Sequence, residues 1–469
     1  MHMSRPSDRG MLTMPTVRGD ERRATEGLSG MIGYYVELAA HSLRRNKVLT
    51  ALMILAIAVG IGASMTTLTI MHLLSGDPLR GRSGQVFYPQ LDANPDSKGR
   101  QPYDMLDYPS ATDLWSAHRA DRQALVVNSH IKLQAPGTRL PPLMLSMLST
   151  TSDFFPMFDV PFRFGRSWTP EDDTAHARVA VISSDLNDRL FGGENSVGRT
   201  VRLKNSDVRV VGVLAPWRPS PLFYDVRGGR FSSGDTANFY DKPEGVITPF
   251  STALEINDGG FQPFTCWVLP ITPGHLQNSQ CVWIALWVQL GDSAKVDAYR
   301  RFLDGYVAQQ QSLGRITRTD NTRLRSLTEW LDFNGVVPSD VKLQTSLAFA
   351  FLAICLCNVV GLLLAKFLRR GGEIGLRRAM GATRRAVFTQ CLVEAGVIGV
   401  LGGLGGLLLT VLGLWLVRRQ PLPYADFVHL DVSMFVVTLL ISVGASLLAG
   451  LLPAARASLV EPALQLKVL

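Results

Sequence analysis

Charge is almost absent from four long stretches of this 469-residue chain, although Asp, Glu, Lys and Arg make up 18% of it overall. Val48–Leu74, Leu343–Ala365 and Val432–Ala455 carry no formal charge, and Ala386–Val417 carries only Glu394. A buried globular helix rarely runs uncharged for more than about 14 residues, whereas a bilayer core of roughly 30 Å needs about 20. A wholly soluble protein is therefore excluded. The stretches predict transmembrane helices at 48–75, 341–366, 386–417 and 432–455. Residues 1–30 lack an apolar h-region and so are not a signal peptide; they read as a disordered leader or a non-native start, with Met31 the natural beginning.

Cysteine is also scarce, at five residues. No C-x-x-C or H-x-x-x-H spacing occurs, and His130, His176 and His275 are scattered, so no metal site is expected. The absence of a G-x-S-x-G elbow removes one route to a hydrolase. No catalytic constellation is found, which leaves an externally anchored enzyme unsupported. Cys355, Cys357 and Cys391 fall in the apolar stretches as small fillers. Cys266 and Cys281 lie outside them: an oxidising compartment would permit a bridge, but two buried unpaired thiols is the favoured reading.

The net charge of +8 is placed as topology rather than as a nucleic-acid footprint. Arg44, Arg45 and Lys47 precede the first stretch, and Lys366, Arg369, Arg370, Arg377, Arg378, Arg384 and Arg385 crowd the loop after the second. Short loops rich in Lys and Arg stay cytoplasmic, which puts both termini and this loop inside and allows contact with anionic lipid. Arg418 and Arg419 oppose the assignment and are outnumbered. Residues 31–47 pattern as an amphipathic interfacial helix.

The segment 76–340 is then external, and far longer than a connection requires. Strand patterns at Ala177–Ile182, Val208–Leu214 and Val282–Leu290 alternate with helical ones at Ser184–Phe191 and Val296–Leu313. The fold class is therefore a four-helix membrane protein with a large α+β domain between helices one and two, and an inserted lobe near 215–280. A short loop at 418–431 and a cytoplasmic tail at 456–469 complete the plan. Within the external domain, Gly193 to Thr200 reads G-x-x-x-x-G-R-T, one substitution from a Walker A loop. A working loop follows a strand and opens a helix; here a helical pattern precedes and a strand pattern follows. It is read as a helix-to-strand turn, and this chain as not the ATPase.

The inner loop, 367–385, is more informative. Gly371 and Gly372 break the second helix, Glu373 suits the first turn of a new one, and Gly381 closes it. Ile374, Leu376, Ala379 and Met380 give it an apolar surface among Arg377 and Arg378. Physics alone leaves two readings level: a helix lying on anionic lipid, or one docking a cytoplasmic partner. Glu394 sits near the inner interface, where pairing with a basic neighbour would satisfy it. Gly399, Gly402, Gly403 and Gly406 suit close helix packing, within the subunit or across a dimer.

The run GEIGLRRAMGATRR resembles the coupling segment of the MacB/FtsX-type (type VII) permeases of ABC transporters. Asp153–Arg166, the region from Val179 through Gly198-Arg199-Thr200, and the tail Leu452–Leu464 resemble further family motifs. The resemblance covers most of the chain from Met31 onward. It implies an ATPase-coupling helix at Glu373, Ile374, Gly375, Leu376, Arg377, Arg378, Ala379, Met380 and Gly381. It further implies a second permease, identical or paralogous, in a bacterial inner membrane. Without a fused ATPase domain, ATP and Mg would be bound by a separate ABC ATPase subunit and no cofactor by this chain. A periplasmic adaptor fits export of a peptide, lipid-linked or amphiphilic substrate. The alternative is an FtsX-like regulator that switches a periplasmic partner and moves no solute.

Overall fold

The computed structural model describes residues 33–459, apart from 34, 44, 80, 98–100, 135–140, 230–236, 279, 338, 421–424 and 426–431. The leader 1–30, the end of the tail and most of the 418–431 loop lie outside the described residues. Two compact units emerge. One is helical and takes the chain up to Ile70, Leu343–Gln420 and the C-terminal stretch; the other takes Met71–Lys342.

In the helical unit, residues 35–43 are helical and a turn at Asn46 separates them from the first long helix, Lys47–Ser75. The other long helices are Ser339–Arg369, Arg384–Arg418 and Val432–Ser458. All four are long and apolar enough to cross a membrane. Met53, Ile57, Ile61 and Met65, one face of the first helix at four-residue spacing, are fully buried in the bundle core. Leu347, Ile354, Leu408, Leu440 and Leu448 are exposed instead. Apolar side chains facing outward on such helices match a hydrocarbon solvent rather than water.

Glycines let the third helix approach two neighbours. A Cβ at Gly402 or Gly406 would meet Ile57 or Ile61 at 2.6 and 2.8 Å. One at Gly399 or Gly403 would run into Ser446 or Ser442. Ser442 Oγ also donates to the Gly399 carbonyl at 2.7 Å. All four glycines thus pack within the subunit.

The second unit is built on a mixed sheet of twelve strands. In chain order they are β1 (Val86–Gln90), β2 (Leu106–Asp107), β3 (Arg122–Gln134), β4 (Leu143–Thr150), β5 (Phe162–Gly165), β6 (Val179–Ile182), β7 (Thr200–Leu203), β8 (Ser206–Leu214), β9 (Val246–Pro249), β10 (Thr265–Cys266), β11 (Cys281–Gln289) and β12 (Arg323–Ser326). The main path runs β12-β1-β11-β3-β4-β9-β6-β8-β5. β3 and β4 form a long antiparallel pair, while β9 runs parallel to β4 and β6 parallel to β8.

The segment 215–280 is not a separate lobe. Its strand β9 sits mid-sheet between β4 and β6, and every residue of it is buried. Indole N–H groups from outside the segment also hold it. Trp287 donates to the Tyr224 carbonyl at 3.0 Å, Trp330 to Val226 at 2.8 Å and Trp283 to Leu276 at 2.8 Å. The expectation of unpaired thiols is likewise corrected: Cys266 and Cys281 form a disulfide, Cα–Cα 4.1 Å. The antiparallel pairing of β10 with β11 sets these two residues directly opposite each other.

Candidate functional site

The second long helix ends at Arg369, and Arg370 alone departs from helical geometry (φ −97°, ψ 10°) before a short helix runs over Gly371–Ala379. Both glycines therefore lie inside the new helix rather than in the break, and the helix begins two residues earlier than the sequence reading placed it. Glu373 is its third residue, where a carboxylate complements the free N–H groups. The helix closes on Gly381 at φ 103°, a conformation that favours glycine. Ala382 N–H donates to the Arg377 carbonyl and Gly381 N–H to Arg378, each at 3.1 Å, a Schellman closure.

The inner side of this helix is fastened from several directions. Arg377 Nη1 donates to Gln390 Oε1 at 3.1 Å on the third long helix, and Arg378 Nη1 reaches the Ser458 carbonyl at 3.5 Å on the fourth. Glu373 accepts from Arg370 Nε at 3.0 Å and pairs with Arg45 at 3.3 Å. Partial burial alone would raise the Glu373 pKa, but the hydrogen bond and charge of Arg370, with Arg45 and Arg377, hold it below the ordinary value. Ile374 packs on the bundle core and Gly375 is buried. Leu376, Ala379 and Met380 face out, Met380 being 74% exposed. The apolar surface expected from four residues is thus an outward patch of three.

Behind the short helix lies a buried ionic cluster. Lys366 is 0% and Glu394 1% exposed, and Lys366 Nζ lies 2.6 Å from Glu394 Oε1. Arg370 Nη1 approaches the other carboxylate oxygen at 3.2 Å. Ser42 Oγ donates to Glu394 at 2.5 Å and accepts from Arg370 at 2.8 Å. One carboxylate thereby ties residues 35–43, the end of the second helix and the third helix to the hinge of the short helix. Glu394 has the basic pairing expected of it. Ser42, Lys366 and Arg370 were not singled out; the usable signal was two cations at i, i+4 beside a lone intramembrane acid.

Elsewhere the Walker-like run is a turn. Helix Ser184–Phe191 precedes it, Gly192, Gly193 and Gly198 have positive φ, and β7 follows. Arg199 pairs with Glu194 of its own loop at 3.3 Å and lies over the Phe191 ring. Among the described residues no cluster of His, Cys, Asp or Glu has metal-site geometry.

Family models match both units: the MacB-like periplasmic core domain over residues 50–304 and the FtsX-like permease C-terminal domain over residues 345–462. This chain belongs to the MacB/FtsX-type permease family. It is a multi-pass membrane protein of the ABC-permease type, and its second unit is a periplasmic domain of mixed α and β structure. The macrolide export ATP-binding/permease protein MacB of Syntrophobacter fumaroxidans is 25% identical over 68% of this chain and 46% of its own length. MacB of Wolinella succinogenes is 22% identical over 92% of this chain and 60% of its own. The chain thus spans about half the length of the curated relatives it matches. The periplasmic region of MacB from Actinobacillus actinomycetemcomitans aligns with a TM-score of 0.34 at 15% identity, over 53% of this chain and 92% of that one.

Proposed function

We propose that this permease carries ATP-driven motion from a separate cytoplasmic ABC ATPase to its periplasmic unit, in a bacterial inner membrane with both termini inside. The single observation that carries the reading is a helix fixed from behind by ion pairs and open in front through Leu376, Ala379 and Met380. A docked subunit that pushes on this face moves a lever whose hinge, Arg370, is bonded to the buried Glu394. The motion passes along the second and third helices; the chain itself links the first and second helices to the periplasmic unit. Glu373 to Gly381 form the coupling element, and ATP and Mg are held by the partner. The glycines at 399, 402, 403 and 406 make the bundle rigid enough to transmit. A second permease, identical or paralogous, completes the complex, and a periplasmic adaptor joins it for export of a peptide, lipid-linked or amphiphilic substrate. The chain itself is not an enzyme.

The test is whether an ABC ATPase subunit copurifies with the permease from its native membranes, repeated with Glu373→Arg and Met380→Asp. Loss of the ATPase from the Met380→Asp complex, with the permease still inserted, is the expected result. Unchanged association of both variants would sink the coupling assignment.

A further inference from the structure

The helix at residues 35–43 is seated in a way that a lipid anchor does not call for. Val36, Glu37, Ala40 and His41 are exposed, while Ala39 is 2% and Ser42 6% exposed and Leu43 packs on the bundle core. The seated face is narrow, built of small side chains and centred on a hydroxyl. A helix held only by lipid buries large apolar side chains and keeps its polar groups toward water.

Ser42 uses that hydroxyl in both directions. Its Oγ donates to Glu394 of the third long helix at 2.5 Å and accepts from Arg370 Nη1 at 2.8 Å. A hydroxyl does both with one atom; a methyl group does neither. In a buried polar network each such bond is stronger than at the surface, and leaving one unmade is costly. Arg45 adds a second contact, with Nη1 lying 3.3 Å from Glu373 Oε1. That pair is exposed and contributes little stability, so its effect is directional. The two contacts fall on different parts of the lever: Ser42 holds the hinge residue Arg370, and Arg45 holds the short helix beyond it. After Arg45 the chain turns at Asn46 and enters the first long helix, whose Thr50 N–H donates to the Asn46 carbonyl at 3.0 Å. Further along, Ile57 and Ile61 hold the first helix against Gly402 and Gly406 at mid-bundle. Ser42 and Arg45 tie its N-terminal end to the hinge.

We propose that the helix at 35–43, with Arg45 after it, is a second transmission arm, which carries displacement of the short helix to the N-terminal end of the first long helix. Ser42 and Arg45 are its positioning residues. The inference rests on the coupling reading above and adds the first helix to the second and third as a driven element. The chain continues into the periplasmic unit from the first and second helices, so the arm makes both of those links active.

The permease with its copurified ATP-binding subunit, in phosphatidylcholine nanodiscs, is labelled with trifluoromethyl-phenylalanine at one of two exposed positions. Leu55 is replaced on the first helix in one sample, and Ile354 on the second helix in the other. Fluorine NMR spectra are compared without nucleotide and with ATP, Mg and orthovanadate. In the wild type both resonances should shift. Ser42→Ala should abolish the shift at position 55 and keep that at position 354, with the ATP-binding subunit still bound. Ser42→Thr, which keeps the hydroxyl, should restore it. Arg45→Glu should shrink the shift at position 55 and Arg45→Lys should return it; this exposed pair decides if Ser42→Ala does not fold. A shift at position 55 that survives the deciding substitution, or loss at both positions together, overturns the proposal. A wild-type shift at position 354 without one at position 55 overturns it alone, whereas no wild-type shift at either position sinks the coupling reading as well.

Discussion

Glu394 is a carboxylate with two cations, Lys366 and Arg370, against it in a nearly dry site. The arithmetic of that cluster makes a directional prediction. Glu394→Gln leaves Lys366 buried with no counter-charge, and should cost about 3–5 kcal/mol. Lys366→Met leaves Arg370 to neutralise Glu394 and should cost clearly less. Thermal unfolding of the two variants in the same nanodiscs gives the order; the reverse order would refute this account of the cluster. A second residue-scale prediction concerns pH. Glu244, buried in the periplasmic unit, has its folded pKa raised chiefly by that burial from 4.5 to about 7, so the folded state holds the proton more tightly than the unfolded chain. That contribution is fully present below pH 4.5 and is lost as pH rises through 7. Glu244→Gln should therefore leave the thermal midpoint of the periplasmic unit unchanged near pH 4.5 and raise it at pH 8. The gain is on the order of 1–3 kcal/mol. A midpoint difference that does not grow with pH contradicts the burial argument.

At the scale of elements, the third long helix depends on having no side chain at particular places. Gly402→Leu and Gly406→Leu each force a side chain into Ile57 or Ile61, and overpacking of this kind costs about 1–3 kcal/mol. Gly361→Leu is the control, because nothing lies within 4 Å of a Cβ there. Folded yield in membranes should fall for the first two and hold for the third; equal yields would mean the glycines serve another contact. The disulfide makes a similar prediction for β10. Closing a loop with a sequence separation of 15 removes roughly 3 kcal/mol of unfolded-state entropy, so the Cys266→Ser, Cys281→Ser pair should lower the thermal midpoint of the periplasmic unit. The lesson about legibility also belongs here. The long helices were readable to within three residues because absence of charge is a local property. The partner of Cys266 was not, because it depends on the β10–β11 register, which is set by pairing and not by spacing. β9 was hidden for the same reason, being four buried residues in a segment rich in Pro, Gly and aromatics that reads as an insertion. Lys366 and Arg370 were visible as charges but counted as topology. Nothing in their own neighbourhood shows that Glu394, in a separate helix, faces them.

For the whole molecule, two units on one chain divide the labour. The helical unit holds a glycine-packed bundle, a buried ionic cluster and an outward apolar patch; the periplasmic unit holds a twelve-stranded sheet. The family match fixes the class of machine, while the coupling assignment rests on the helix Gly371–Ala379. Sequence physics left that helix divided between lipid and protein as its neighbour. Arg377 and Arg378 turn back to bond within the bundle, and the coupling proposal takes the outward apolar surface they leave as the seat of a protein partner. The most direct measurement is site-specific photo-crosslinking in intact membranes, with a benzophenone side chain at Met380 and a control at exposed Leu269 of the periplasmic unit. The account predicts an adduct between position 380 and an ATP-binding subunit, absent from position 269. Adducts from position 380 to lipid alone would contradict it.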